Sequence, residues 1–527
     1  RSLEGEKKLK LNVLDNGFLR EYPRVYSIAL ELISHTDGIL TEENLMNFVR
    51  AYQTESILSI KEISSLSLML TLALMEHIRN MCKKINEIQE VWEKVDKIDI
   101  SNFDEIEDYL QRVPEIDSSY VEYLLKRIKK EKEDSSLLID RLEKRLNYIG
   151  TSVRDILERE YRKQASIRIS IGNSIISLKS ISNFDWYTIF ESICVVEKIM
   201  RGDPSGIYEK MDQESRGYYR YQVEKLAKKL RTQEIYIAKK AVEYAYDACK
   251  NGEIEKKRHI GYYIIDEGRK KIFDDLEYTD RNKGLYLKSP IFYFIPVLSF
   301  TFLLTYILGY YAYFYGNLAM GILVGILVLI PASTISISIC NLVFSKIFSP
   351  TFLPKIEFKD GIPEEKTTFI VIPTLLPNED RVVELAKDLE TYYLSNREKN
   401  LFFAILGDYK DDHHEKNDDD EKISKRALNC IESLNRKYAG NEDIFYYFQR
   451  HRVYSKSENK WMGWERKRGA LVEFNNLLMG DNDTSYFIIS GDISKIQGTV
   501  KYVITLDADT KLSIDTAKRL IGTISHP

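Results

Sequence analysis

Two carboxylates one residue apart, Asp507 and Asp509, directly follow the β-branched run KYVITL. A hard divalent cation takes oxygen ligands, so Mg²⁺ or Mn²⁺ at such a pair would neutralise the charge of a diphosphate leaving group. The D-x-D pattern alone is weak, because loops carry it by chance and an acid there can also cap the following helix. A strand directly in front and a second strand-end acid, Asp408 after LFFAIL, favour the metal reading. Asp408 would hydrogen-bond a base or a ribose. Asp411, Asp412, Asp418, Asp419 and Asp420 are read as partly solvated decoration. Between the acids lies KWMGWERKRGALVEFNNLL, with Lys467 and Arg468 opening an amphipathic helix. Fixed positive charge there would hold the phosphates of the same ligand. Trp461 and Trp464 would receive a sugar ring, although two core tryptophans look identical in sequence. The competing motifs G-x-x-x-x-G-K-[ST], G-x-G-x-x-G and H-E-x-x-H do not occur.

Such groups need a scaffold that brings distant segments to one edge. Beyond Pro354 strands and helices alternate, the pattern of a parallel α/β sheet. Strands are expected at 368–372, 401–406, 444–448 and 501–506, and helices at 381–393, 467–479 and 514–524. Open parallel sheets bind ligands outside the carboxyl ends of their strands. Thr374, Asp408, Asp507 and Asp509 all fall at that edge.

Ahead of this region, residues 289–345 hold no Asp, Glu, Lys, Arg or His, 57 residues in a chain that is 30% charged. A spanning helix takes about 20 apolar residues, so the run accommodates two, at 292–313 and 318–344, turning at Gly316 and Asn317. Tyr306, Tyr310, Tyr311, Tyr313 and Tyr315 cluster towards that turn, where amphipathic rings suit a water–lipid boundary. Arg269, Lys270, Lys271, Arg281, Lys283 and Lys288 precede the run, Lys346, Lys355 and Lys359 follow it and the turn has none, so both soluble parts are expected in the cytoplasm.

Residues 1–287 read as helical, with packing stripes such as Leu45, Phe48, Val49 and Tyr52 behind a capping Thr41. His35 and His259 are isolated and read as structural, and Asp203–Gly206 as a turn. The organisation is multidomain: a helical cytoplasmic region (1–287), a two-helix transmembrane hairpin (288–346), a linker (347–366) and a partial Rossmann-like α/β domain (367–527). With 76 Lys+Arg against 80 Asp+Glu, bulk charge gives no support for nucleic-acid binding. Five scattered cysteines without a C-x-x-C pair favour a reducing compartment. A start at Arg1 and a stop at Pro527, just after a strand and helix, suggest a piece of a longer protein.

The runs EYPRVYSIALELISHTDG, ISNFDWYTIFESICVVEKIMRGDPSGIYEKMD, VIPTLLPNEDRV, FFAILGDYKDDHHE, WMGWERKRGALVEFNNLL and YVITLDADTKL resemble the amino-terminal part of the cyclic β-1,2-glucan synthases. The resemblance covers nearly the whole chain. It implies an inner-membrane enzyme whose GT-A type glycosyltransferase domain moves glucose from UDP-glucose to a growing β-1,2-glucan. Later modules in the remainder of the full-length synthase then cyclise the glucan. It places Thr374 and Asp408 on the uridine side, Arg468 at the basic position before the central helix, and Asp507 and Asp509 on Mg²⁺ or Mn²⁺. The catalytic base is expected beyond Pro527, which would leave this piece inactive alone. Ala470, where the family pattern has lysine, and Ser513, where it has proline, are departures. A membrane-anchored module that senses a nucleotide sugar, or another processive polysaccharide synthase, would share the strand-end acids.

Overall fold

A computed structural model describes residues 11–17, 19–100, 106, 117–131, 136–148, 150–278, 290–348, 350–440 and 443–527. The 287/288 boundary and the flanking Arg281, Lys283 and Lys288 lie outside these. The chain forms two compact units. One comprises Arg1–Met200 with Thr232–Ala238, the other Arg201–Arg231 with Lys239–Pro527.

The first unit is helical, as the three-and-four spacing requires. Its long helix Leu66–Asp96 packs against both Arg24–His35 and Val153–Ile181, burying Val25, Leu32, Leu70, Ala73 and Leu74. Thr41 starts the helix Glu42–Tyr52 with a reciprocal cap: its hydroxyl accepts from the Asn44 amide and the Asn44 side chain accepts from its own amide. Buried Glu160 is satisfied by the hydroxyls of Ser118 (2.7 Å) and Ser119 (2.9 Å). His35 is exposed and pairs with Glu31.

In the second unit, Pro290–Tyr315 and Leu318–Ile347 are long and apolar enough to cross a membrane, with mean hydropathies of 2.1 and 2.4. Asn317 caps the second helix by accepting from the Met320 amide at 2.9 Å. The two backbones approach closely at Gly309 and Gly321. A Cβ on Gly321 would sit 3.0 Å from the Gly309 carbonyl oxygen, so small residues set the spacing.

The sheet follows. Strands β1 (Thr368–Leu376), β2 (Leu401–Tyr409), β3 (Phe445–Arg450), β6 (Tyr486–Ile489) and β7 (Tyr502–Thr505) take the order β6-β3-β2-β1-β7. All neighbours are parallel except β3 and β6. Central strands are buried on both faces, which explains their continuous apolar runs. Ile370, Ile372, Phe403, Ile405 and Phe445 face one layer of helices (Glu379–Ser395, Asp420–Tyr438, Thr516–Ile524). Phe369, Val371, Phe402, Ala404 and Phe448 pack with Phe474 and Leu477 of the helix Arg466–Leu478 on the other.

Four features depart from the sequence-based expectation. The helix Asp420–Tyr438 forms where the acids ending at Asp420 are read only as decoration. The sheet is mixed, because Tyr486–Ile489 adds an antiparallel edge that its short, polar-flanked run does not announce. A small hairpin, β4 (Val453–Ser455) with β5 (Lys460–Met462), precedes the central helix. Pro373 and Thr374 lie inside β1 and not beyond it, with Thr374 opposite Gly407.

The helical segments within Arg201–Arg231 and after Lys239 belong to this same unit. The Asp203–Gly206 turn is a polar hub: the Asp203 carboxylate accepts from Ser205, from His259 Nδ1 (2.8 Å) and from the amides of Tyr208 and Ile260. His259 Nε2 contacts the Tyr219 hydroxyl (2.9 Å), which also reaches His526 Nε2 (3.1 Å). His259 is thus a satisfied structural histidine. Burial alone would raise the Asp203 carboxyl, yet its hydrogen bond from His259 holds it below the usual range.

Candidate functional site

Strand order reverses at β1, with β2 and β3 on one side and β7 on the other. At such a switch point the loops leave in opposite directions and open a crevice past the carboxyl ends. Thr374 on β1, Asp408 on β2 and Asp507 just past β7 fall near that edge on three adjacent strands, about 10 Å across at normal spacing, but Thr374 pairs with Gly407 and Asp408 with Leu375, so the Thr374 and Asp408 side chains leave opposite faces of the sheet. Thr374 is half-buried, its hydroxyl donating to the Leu375 carbonyl at 3.3 Å.

The acid loop is held by its backbone. The Leu506 amide donates to the Val371 carbonyl (2.9 Å), Arg381 donates to the Ala508 carbonyl (3.1 Å) and the Tyr392 hydroxyl to the Thr510 carbonyl (2.6 Å). Both carboxylates are left exposed. Neither caps the next helix, which starts at Thr516 behind Asp515. Asp507 forms an ion pair with Lys467, 40 residues away in sequence. The structure therefore brings together a basic and an acidic residue that the sequence singled out separately. Arg468 turns instead to Glu465 within its own turn (2.6 Å) and is largely exposed.

The tryptophans are not core residues. Trp461, on β5, stacks edge-on against Tyr454 with ring centroids 5.6 Å apart, and its backbone exchanges two hydrogen bonds with Asp412. Trp464 is 45% exposed at the mouth of the central helix. The acids read as solvated are partly structural: Asp420 accepts from Arg452 (2.9 Å), and Asp411 accepts from Arg466 (3.0 Å). Asp412 accepts from the His414 amide and from Asn417, which hold its carboxyl down at about 2.

Asp408 is 5% exposed, and both its oxygens are occupied by Arg450, from Nε and Nη2 at 2.7 Å each. Burial pushes the Asp408 carboxyl above its ordinary range, against the opposing pull of the guanidinium. Arg450 Nη1 also reaches Glu473 Oε1 at 3.4 Å, and Glu473 Oε2 accepts from the Ser485 amide (2.7 Å) and hydroxyl (2.6 Å). Arg450 is absent from the sequence-based set. A basic residue in FQRHRV reads as solvated, and only the fold supplies the acid that buries it.

Among the described residues no three His, Cys, Asp or Glu side chains converge as a ligand set. Asp507 and Asp509 supply two hard oxygens, and the Lys467 ammonium already seated on Asp507 shows that positive charge is accommodated there. That donor set fits a Mg²⁺ or Mn²⁺ ion taking its remaining oxygens from phosphates and water.

Fold and site together define a Rossmann-like α/β domain with exposed acids and a lysine at its switch point, on a chain with two helices of membrane-spanning length. No protein-family model matches the chain. The chain is 29% identical over 522 residues to the cyclic beta-(1,2)-glucan synthase NdvB of Rhizobium meliloti (strain 1021), an alignment covering 96% of this chain and 18% of that protein. It is related to that synthase over almost all its length and spans less than a fifth of it, in agreement with the resemblance its motifs carry.

Proposed function

We propose that the chain is the donor-binding part of a membrane glycosyltransferase related to the glucan synthases, which transfers glucose from UDP-glucose to a growing β-1,2-glucan. The observation that carries this reading is the meeting of Lys467 with the Asp507 loop at the switch point of the sheet. In this reading the sheet is half of a GT-A type domain. Asp507 and Asp509 hold Mg²⁺ or Mn²⁺, which when bound offsets negative charge on the departing diphosphate. Lys467 faces the phosphates with Arg468 one residue on, Thr374 lies at the uridine end, Asp408, buried on Arg450, stands behind the site without touching the uridine, and exposed Trp464 with half-buried Trp461 flank the glucose. The two apolar helices form a hairpin in the cytoplasmic membrane that keeps the site beside the bilayer, with both soluble parts cytoplasmic. The relative's printed name supports the product, and the acids with their lysine support the nucleotide sugar.

The test is Asp509→Asn in the complete enzyme. Asp509 has no side-chain partner among the described residues, so its loss should leave expression and membrane insertion intact while glucan synthesis from UDP-glucose falls at least about 100-fold. Unchanged synthesis would contradict the reading.

A further inference from the structure

The Arg450 side chain is wholly buried, and each of its five N–H donors has an acceptor. Three go to carboxylates: two to Asp408 and one to Glu473. The remaining two go to the main-chain carbonyls of Trp464 (Nη1, 3.0 Å) and Arg466 (Nη2, 2.9 Å). Those carbonyls bracket two consecutive residues with left-handed backbones, Glu465 (φ 46) and Arg466 (φ 50). Neither is glycine, so the turn is strained and persists only because its surroundings over-determine it. Lys467 is the next residue.

Two glycines show how tightly this turn sits on the ion pair. A Cβ on Gly463 would lie 2.7 Å from Asp408 Cγ and 2.8 Å from Arg450 Nη2, and one on Gly469 would lie 1.9 Å from the Trp464 carbonyl oxygen. We infer that Arg450 is a positioning residue for the donor site: braced by Asp408, it holds the Gly463–Arg466 turn in the shape that aims Lys467 at the Asp507 loop. This rests on the reading of Lys467 as a phosphate contact. Lysine at position 450 would keep the charge beside Asp408, but three donors on one nitrogen cannot span a carboxylate and two separate carbonyls.

The experiment compares the wild-type chain in detergent with Arg450→Lys and with Arg450→Lys plus Arg466→Gly. It reads amide hydrogen exchange at residues 464–467 and the binding of UDP, pyrophosphate and uridine in the presence of Mn²⁺. Arg450→Lys is expected to speed exchange at the turn about tenfold. UDP and pyrophosphate should weaken by one common factor of about ten, with uridine unaffected. Glycine adopts the left-handed region freely, so Arg466→Gly should recover part of both losses. Unchanged exchange would overturn the inference, as would a loss confined to UDP and uridine, which would place Arg450 at the nucleoside end. Faster exchange in a chain whose wild type binds no pyrophosphate would overturn the donor-site reading while leaving the bracing of the turn in place.

Discussion

In the proposed site, Lys467 and a divalent cation would compete for one carboxylate. The ammonium sits on Asp507 and both side chains are about half exposed, so solvent screens the pair and its worth is small. Removing the lysine frees an oxygen for a metal and also removes a charge that a diphosphate would use. Lys467→Met should therefore tighten Mn²⁺ binding without nucleotide by roughly twofold to fivefold and weaken UDP about tenfold, since hydrogen bonds to charged groups contribute roughly 1.5–3 kcal/mol. Electron paramagnetic resonance titration of free Mn²⁺ and calorimetry of UDP would show the opposed signs. Both affinities moving together would remove Lys467 from the site. The acids and the lysine were legible because type and position coincide: acids after an apolar strand, cations opening an amphipathic helix. Arg450 was not legible, because its burial depends on Asp408, 42 residues earlier, and on two carbonyls of a turn that contains no glycine at its left-handed positions.

The segment that follows the apolar hairpin is pinned on two sides. Ile356 forms an isolated bridge with Met211, and its amide donates to the Gly522 carbonyl at 3.0 Å. A Cβ on Gly522 would lie 2.3 Å from the Ile356 carbonyl oxygen, so this contact requires glycine. Beside it, His526 is pushed down to about 4, first by burial and then by the nearby His259. An unfolded histidine titrates near 6.5, so between the two values the unfolded chain binds the extra proton. Stability from this group is complete above about pH 6.5 and is lost as pH falls towards 4. The depressed Asp203 carboxyl acts in the same direction at lower pH. Thermal unfolding in detergent should show the chain losing stability between pH 7 and 4.5, and His526→Gln should flatten that slope. An identical slope in the variant would refute the assignment. Elements with a continuous apolar run, such as 401–406, could be read from sequence, because burial on both faces leaves that mark. The edge strand Tyr486–Ile489 could not, because four residues beside polar loops owe their pairing to β3. The two histidines, far apart in the chain, meet edge to face with ring centroids 5.2 Å apart and share the Tyr219 hydroxyl, a juxtaposition only the fold creates.

At the scale of the molecule, the proposal joins a membrane hairpin to a nucleotide-sugar site. The hairpin reading predicts that reporter tags at Lys270 and Asp360 report the same, cytoplasmic, side and a tag at Gly316 the other. Tags at 270 and 360 on opposite sides would contradict it. The uncharged run made these helices readable from sequence, while their close approach at Gly309 and Gly321 needed the structure. The central claim is that Asp507 and Asp509 hold a metal for a nucleoside diphosphate. Its most direct test is calorimetric titration of UDP into the detergent-solubilised chain, with and without Mn²⁺, for wild type and Asp507→Asn/Asp509→Asn. The account predicts UDP binding that requires Mn²⁺ and weakens at least about tenfold when both acids are neutralised. UDP binding of equal strength without Mn²⁺, or undiminished in the doubly neutralised chain, would contradict it.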